Sequence, residues 1–246
     1  MEKYILVIPA RYDSKRLPGK PLIDILGKPM IQRVYEKCLE VVSHEHIYIA
    51  TDDNRIKLVV EGFGAKVIMT SKECLTGTDR VAEVAQNIKA EYYINVQGDE
   101  PLFNPNDIQK VINSIDRYNG EIINGYCDIL KKTEFYSLST PKVVFRIDGR
   151  LLYMSRSPIP GNKNNSFNYG YRQVCVYAFP AKSLQEFKKK TSKTPMEKQE
   201  DIEILRFLEL GFEVRMLKLS DYSIPVDNPS DINKVIKKIK NETTRI

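Results

Sequence analysis

Histidine is the scarcest chemistry-bearing residue in this chain. There are two in 246 residues, His44 and His46, and they flank Glu45 just ahead of an apolar run. A Ser-His-Asp or Cys-His hydrolase needs an imidazole brought in from a distant part of the chain, so both are disfavoured. A zinc site built mainly from imidazoles is disfavoured too. Tryptophan is absent, and the four cysteines (Cys38, Cys74, Cys127, Cys175) are widely spaced with no C-x-x-C pair. Reduced, packed thiols are the simplest reading. No apolar run approaches the roughly 20 residues of a membrane span. The first residues run straight into a strand pattern rather than a charged-then-apolar leader. These features lead us to expect a cytoplasmic protein.

Net charge is +6. Much of the excess lies in Lys188-Lys189-Lys190 and between Lys234 and Lys240, on helical faces opposite apolar Val235, Ile236 and Ile239. Solvated helix faces account for that pattern. No aromatics interleave with these cations, so nucleic acid is not an expected partner.

The chain does have a distinctive opening. Tyr4 to Ile8 reads as a buried strand, and Pro9 to Pro21 then holds four cations, three prolines and a glycine within 13 residues. Open α/β sheets bind ligands at the carboxyl ends of their strands. A stiff loop carrying Arg11, Lys15, Arg16 and Lys20 there suits a nucleoside triphosphate. It is not a P-loop, because Gly19-Lys20 is followed by proline, and no G-x-G-x-x-G is present.

The remaining pattern is strand-helix-strand with short links, predicting a mostly parallel Rossmann-like α/β sheet flanked by helices. Predicted strands cover 47–50, 66–69, 92–96 and 214–219, and predicted helices 30–41, 54–63, 79–88, 105–118, 181–190 and 197–210. Asn228 to Asp231 opens a last helix. Between about 121 and 180 short runs of β-formers predict an antiparallel excursion. Asp148-Gly149 marks a hairpin turn there, and 161–169 forms a polar loop. One continuous domain, 1–246, is expected.

Two acidic positions stand at predicted strand ends. Asp99, in Gln97-Gly98-Asp99-Glu100, and Asp227, in Val226-Asp227-Asn228-Pro229, could hold Mg2+, which takes one or two carboxylates together with substrate phosphates. Each could instead cap a turn or helix.

The motifs Pro9-Ala10-Arg11 with Ser14, Arg16-Leu17-Pro18-Gly19-Lys20-Pro21-Leu22, Gly77-Thr78-Asp79-Arg80, Asn95 to Pro101 and Val226-Asp227-x-Pro229 resemble, in order, those of the 3-deoxy-manno-octulosonate cytidylyltransferases (CMP-Kdo synthetases). The resemblance implies transfer of CMP from CTP to the anomeric hydroxyl of a 3-deoxy-2-ulosonic acid, with pyrophosphate released, for lipopolysaccharide or capsule synthesis. It implies nucleotide contacts from Pro9, Ala10, Arg11, Ser14, Arg16, Lys20, Thr76, Gly77, Thr78, Arg80, Gln97 and Asp99. It further implies metal at Asp99 and Asp227, catalytic roles for Arg11, Lys20, Asp99 and Asp227, and a homodimer formed through the excursion.

For the sugar acid, it implies Arg156 on the carboxylate, with Gln173, Tyr177, Glu203 and Asp227 nearby. Two positions depart from the family pattern. Gln173 stands where the family has histidine, and Ile204 where it has glutamine. Both fall where the acceptor is read, so another acceptor, such as an amino-substituted octulosonic acid, is an alternative. So is a non-catalytic nucleotide-sugar-binding protein, although the joint presence of Arg11, Lys20, Asp99 and Asp227 argues against it.

Overall fold

The computed structural model describes residues 1–14 and 16–243, so the expectation for Lys15 lies outside the described residues. In chain order the elements are β1 (Glu2–Ala10), β2 (Asp24–Ile25), β3 (Lys28–Pro29), α1 (Met30–Leu39), β4 (Ile47–Thr51), α2 (Asn54–Gly62), β5 (Lys66–Met69), α3 (Gly77–Asn87) and β6 (Ala90–Val96). Then come α4 (Pro105–Ser114), β7 (Ile122–Asp128), α5 (Lys132–Phe135), β8 (Lys142–Phe145), β9 (Leu151–Ser155) and β10 (Tyr171–Pro180). The last are α6 (Ala181–Lys188), α7 (Pro195–Glu200), α8 (Ile204–Glu209), β11 (Val214–Lys218) and α9 (Pro229–Thr243).

One nine-stranded sheet runs β11-β7-β10-β6-β1-β4-β5, with β8 and β9 attached to β10. The pairs β6-β1, β1-β4, β4-β5 and β11-β7 are parallel. Strand β10 is antiparallel to β6, β7 and β8, and β8 pairs antiparallel with β9. The antiparallel excursion is therefore built around one long strand, while β7 also gains a parallel neighbour in β11. The β8-β9 hairpin turns where expected, with Gly149 at φ 86°, and Gly149 N–H donates to the Arg146 carbonyl at 2.8 Å.

Helices cover both faces of the sheet. Ile31, Val34 and Cys38 of α1, Ile56 and Val60 of α2, and Ile108 and Val111 of α4 pack with Leu6, Ile8 and Ile94 on one face. On the other, Val81 and Val84 of α3, Leu184 and Phe187 of α6, and Leu205 and Phe207 of α8 pack with Ile5, Val7 and Tyr93. Strand β1 is covered on both sides, which is why Ile5 to Ile8 form an unbroken apolar run. A third, small cluster joins Ile25, Met30 and Leu102 to Val226 and to Val235 of α9.

Two helices are shorter than their periodicity predicts. The helix expected over 105–118 ends at Ser114. The one expected over 197–210 is two helices. Thr194 and Glu197 form a capping box with Pro195 in the first turn of α7, and Asp201 at φ 53°, ψ 48° then breaks the chain before α8. Aspartate tolerates this left-handed geometry better than most residues, so its apolar neighbours show no break in pattern.

From β1 the connections step outward through β4 to β5, and β6 then returns to the opposite side of β1. The strand order thus reverses at β1, and a crevice opens beyond the carboxyl ends of β1 and β6.

Candidate active site

That crevice is a cleft of about 890 Å3. Its lining contains Pro9, Ala10, Arg11, Ser14, Arg16 and Lys20 from the loop after β1, Thr76, Gly77 and Arg80 at the start of α3, Gln97 and Asp99 after β6, and Glu203 and Asp227. Residues from five separate parts of the sequence meet there.

The loop after β1 is held from several sides. The Tyr12 carbonyl accepts from the N–H groups of Ser14 at 3.0 Å and Gly19 at 2.9 Å. Gly19 has φ 68°, a conformation that costs glycine little and others more. The Arg55 guanidinium of α2 lies 3.3 Å from the centre of the Tyr12 ring and pairs with Asp53, the cap of α2. On the facing strand end, Gly98 passes so near β1 that a Cβ there would sit 2.8 Å from the Pro9 carbonyl oxygen.

Lys20 is the junction. Its Nζ donates to Asp99 Oδ2 at 2.6 Å, to the Val226 carbonyl at 2.9 Å and to Asp227 Oδ1 at 3.4 Å. Arg16 Nη2 reaches the same Asp227 oxygen at 2.8 Å. Neither carboxylate is used as a cap. The turn into α9 is closed by Asp231, whose Oδ2 accepts from the N–H groups of Asp227 and Asn228. Next to Asp99, burial pushes the Glu100 carboxyl up to about 7, and the Asp99 charge adds to that rise.

The two carboxylates converge on one ammonium, that of Lys20. Among the described residues no group of three His, Cys, Asp or Glu side chains forms a metal cluster. Two carboxylates suit a metal that arrives with phosphate oxygens to complete its shell.

Opposite the loop, Thr76 caps α3 and Arg80 is buried, its Nη2 2.9 Å from Asp52 Oδ2. The Glu203 carboxylate lies on the start of α3. It accepts from Gly77 N–H at 3.2 Å, from Thr78 N–H at 2.9 Å and from the Thr78 hydroxyl. Burial raises its pKa while these donors oppose the rise. Glu203 therefore ties the α7–α8 side of the cleft to the α3 side. Behind it, Arg206 is wholly buried between Asp79 (2.9 Å) and Glu197 (2.6 Å).

Four expected site residues do not line the cleft. Thr78 is buried beneath Glu203. Gln173 Nε2 donates to Asn124 Oδ1 at 3.0 Å and to the Tyr177 hydroxyl at 3.2 Å, within the sheet. Tyr177 is buried against Phe179. Arg156 is spent on backbone: it donates to the carbonyls of Glu200 (2.6 Å), Leu138 (3.0 Å) and Asp201 (3.0 Å). Ile204 is core, 1% exposed among the apolar residues of the α3 face. The apolar residue there is thus explained by packing.

The cleft also contains residues that the sequence did not single out, among them Cys74, Leu75, Lys193 and Asp201. Asp201 falls inside the helix expected over 197–210 and Lys193 in the link before it; Pro195 after Thr194 is the available sign of the helix start. Asn95 is a further surprise. It pairs in register with Tyr177, is fully buried, and neither amide atom has a hydrogen-bond partner among the described residues.

The family model for "Cytidylyltransferase" matches residues 5–217. The chain belongs to the cytidylyltransferase family. It is 39% identical over 235 residues to the 3-deoxy-manno-octulosonate cytidylyltransferase of Escherichia coli, covering 96% of this chain and 95% of that protein. It is 42% identical over 238 residues to the 8-amino-3,8-dideoxy-manno-octulosonate cytidylyltransferase of Shewanella baltica (strain OS185), with 93% and 95% covered. The structure of CMP:2-keto-3-deoxy-manno-octonic acid synthetase complexed with CTP superposes with a TM-score of 0.91 at 38% identity, covering 98% of this chain and 100% of that one. This cytidylyltransferase chain is accordingly a nucleotidyltransferase enzyme of mixed α/β fold with a mainly parallel central sheet. No helix among the described residues is long and apolar enough to cross a membrane.

Proposed function

We propose that the chain transfers CMP from CTP to the anomeric hydroxyl of a 3-deoxy-2-ulosonic acid, Kdo or a close relative, and releases pyrophosphate. The observation that supports this most directly is the junction at Lys20, which gathers Asp99 and Asp227 beneath the cationic loop. In this reading the nucleotide lies between that loop and the start of α3, with Pro9, Ala10, Ser14, Thr76, Gly77, Arg80 and Gln97 beside it. Arg11, Arg16 and Lys20 face the triphosphate.

The chemistry is an in-line displacement. The anomeric oxygen bonds to the α-phosphorus, the bond from that phosphorus to the α,β-bridging oxygen breaks so that pyrophosphate leaves, and the hydroxyl proton passes to solvent. Asp99 and Asp227 would hold Mg2+, which supplies Lewis-acid neutralisation of the α-phosphate and the leaving pyrophosphate. Lys20, now shared between the carboxylates, is placed to turn to phosphate oxygens as they enter. Glu203 keeps the start of α3 in position.

We also propose a cytoplasmic role in making lipopolysaccharide or capsule precursors, with the whole chain acting as one domain. The excursion over about 121–180 would form a homodimer interface; sedimentation at micromolar concentration as a monomer would reject that part.

The deciding experiment is pyrophosphate release from CTP and Mg2+ with Kdo, 8-amino-Kdo and sialic acid in parallel. Release with one of the octulosonic acids is expected, and silence with all three would sink the assignment. Turnover with 8-amino-Kdo and not Kdo would favour the amino-substituted acceptor, the one in the name of the Shewanella baltica relative.

A further inference from the structure

The acceptor proposed above carries a carboxylate, and most cations of the cleft are already committed. Arg16 and Lys20 serve Asp227 and Asp99. Arg80 serves Asp52. Arg156, which does not line the cleft, serves three carbonyls, those of Glu200, Leu138 and Asp201. Lys193 is different. It lines the cleft and its ammonium is hydrogen-bonded to the carboxylate of Asp201. That carboxylate is 71% exposed.

Asp201 itself is unusual. It sits at the left-handed residue between α7 and α8, so its backbone is fixed by a local conformation that aspartate adopts at some cost. Its side chain also lines the cleft. The Lys193 ammonium holds the Asp201 carboxyl below its ordinary value, and the charges of Arg156 and Arg11 act in the same direction. A carboxylate thus rests within the field of three cations, one of them on the opposite wall.

We infer that Lys193 reads the carboxylate of the incoming sugar acid and that Asp201 is the resident carboxylate it leaves to do so. The inference rests on the proposed function, since it presupposes an acidic acceptor. It adds a specificity element in the segment 193–201, where the expected reader had been Arg156. The exchange needs little disruption. One exposed carboxylate returns to water, and one substrate carboxylate takes its place on the ammonium.

The test separates this role from a merely structural clasp. A charge-assisted hydrogen bond to substrate predicts that Lys193→Gln raises the KM for the acid by about 10- to 100-fold, with the KM for CTP little changed. Lys193→Arg should recover most of the loss. Asp201→Asn should act in the opposite direction, lowering the acid KM about two- to five-fold, the scale of an exposed ion pair. A clasp predicts the same sign for Lys193→Gln and Asp201→Asn, and that outcome overturns the inference. So does an unchanged acid KM in Lys193→Gln while the unsubstituted enzyme is active. A loss in Asp201→Asn confined to 8-amino-Kdo would assign Asp201 to an ammonium substituent and overturn it as well. If the unsubstituted enzyme turns over no acid at all, the proposed function fails first and takes this inference with it.

Discussion

Asp227 carries two cations on one oxygen, Arg16 at 2.8 Å and Lys20 at 3.4 Å. Asp99→Asn or Asp227→Asn should lower turnover by on the order of 10²–10³, the usual range for removing a group that offsets developing charge. Circular dichroism should show an intact fold, and near-normal turnover in either variant would reject the metal-site assignment. Gly98 offers a steric test beside it. Its missing Cβ is what lets the Gln97-Asp99 turn lie against the Pro9 carbonyl, and that neighbour is backbone that cannot swing aside. Gly98→Ala should cost about 1–3 kcal/mol of stability, measured by urea unfolding. It should also reduce turnover, because Asp99 moves with it. A variant as stable and active as the parent would show that the contact relaxes freely. Asp99 and Asp227 stood out in the sequence as acids at predicted strand ends, and the fold brings both to the Lys20 ammonium. Gln173 and Ile204 were legible only as departures, and their meaning came from packing: one bonds inside the sheet, the other fills the core.

Among the elements, the α7–α8 pair shows most clearly what periodicity hides. Apolar spacing runs on from Glu197 to Leu210, and one left-handed aspartate interrupts it without altering the pattern. The break is what aims Asp201 into the cleft, while Glu203 two residues later reaches α3. Strand β8 offers a second case. Lys142 there has a buried ammonium that donates to the carbonyls of Ser137 and Arg156. Burial, aided by the neighbouring Arg156 charge, pushes its pKa down to about 8 from 10.5. A lysine with a lowered folded pKa holds fewer protons folded than unfolded between those values. Its contribution to stability therefore improves as pH rises from 8 towards 10.5, and its full penalty is present below 8. Comparing urea unfolding of the parent and Lys142→Met at pH 7.5 and pH 10 isolates the group. The parent should gain relative to the variant at the higher pH, and a constant difference would contradict the shift.

For the whole molecule, the parallel half of the sheet followed from alternating strands and helices, and the site from the reversal of strand order at β1. What the sequence could not supply was the identity of the neighbours. Strand β10 enters between β6 and β7, strands that lie about 80 and about 50 residues earlier in the chain, and nothing in its own composition names those partners. That single insertion places Tyr177 opposite Asn95 and sets the parallel β11 at the far edge.

Helix α9 has little share in the main core; it docks mainly through the small cluster of Val235 and Val226 with Ile25, Met30 and Leu102. Asp227 lies directly before it, so one of the two acids is supplied by the part of the chain most easily cut away. Removing residues from 226 onward would leave both large apolar faces closed and a folded remnant behind. That remnant would keep Asp99 and Lys20 as a simple ion pair, competent to be soluble and unable to grip a metal from two sides. Loss of activity on C-terminal trimming would in that case report a lost ligand rather than a lost fold.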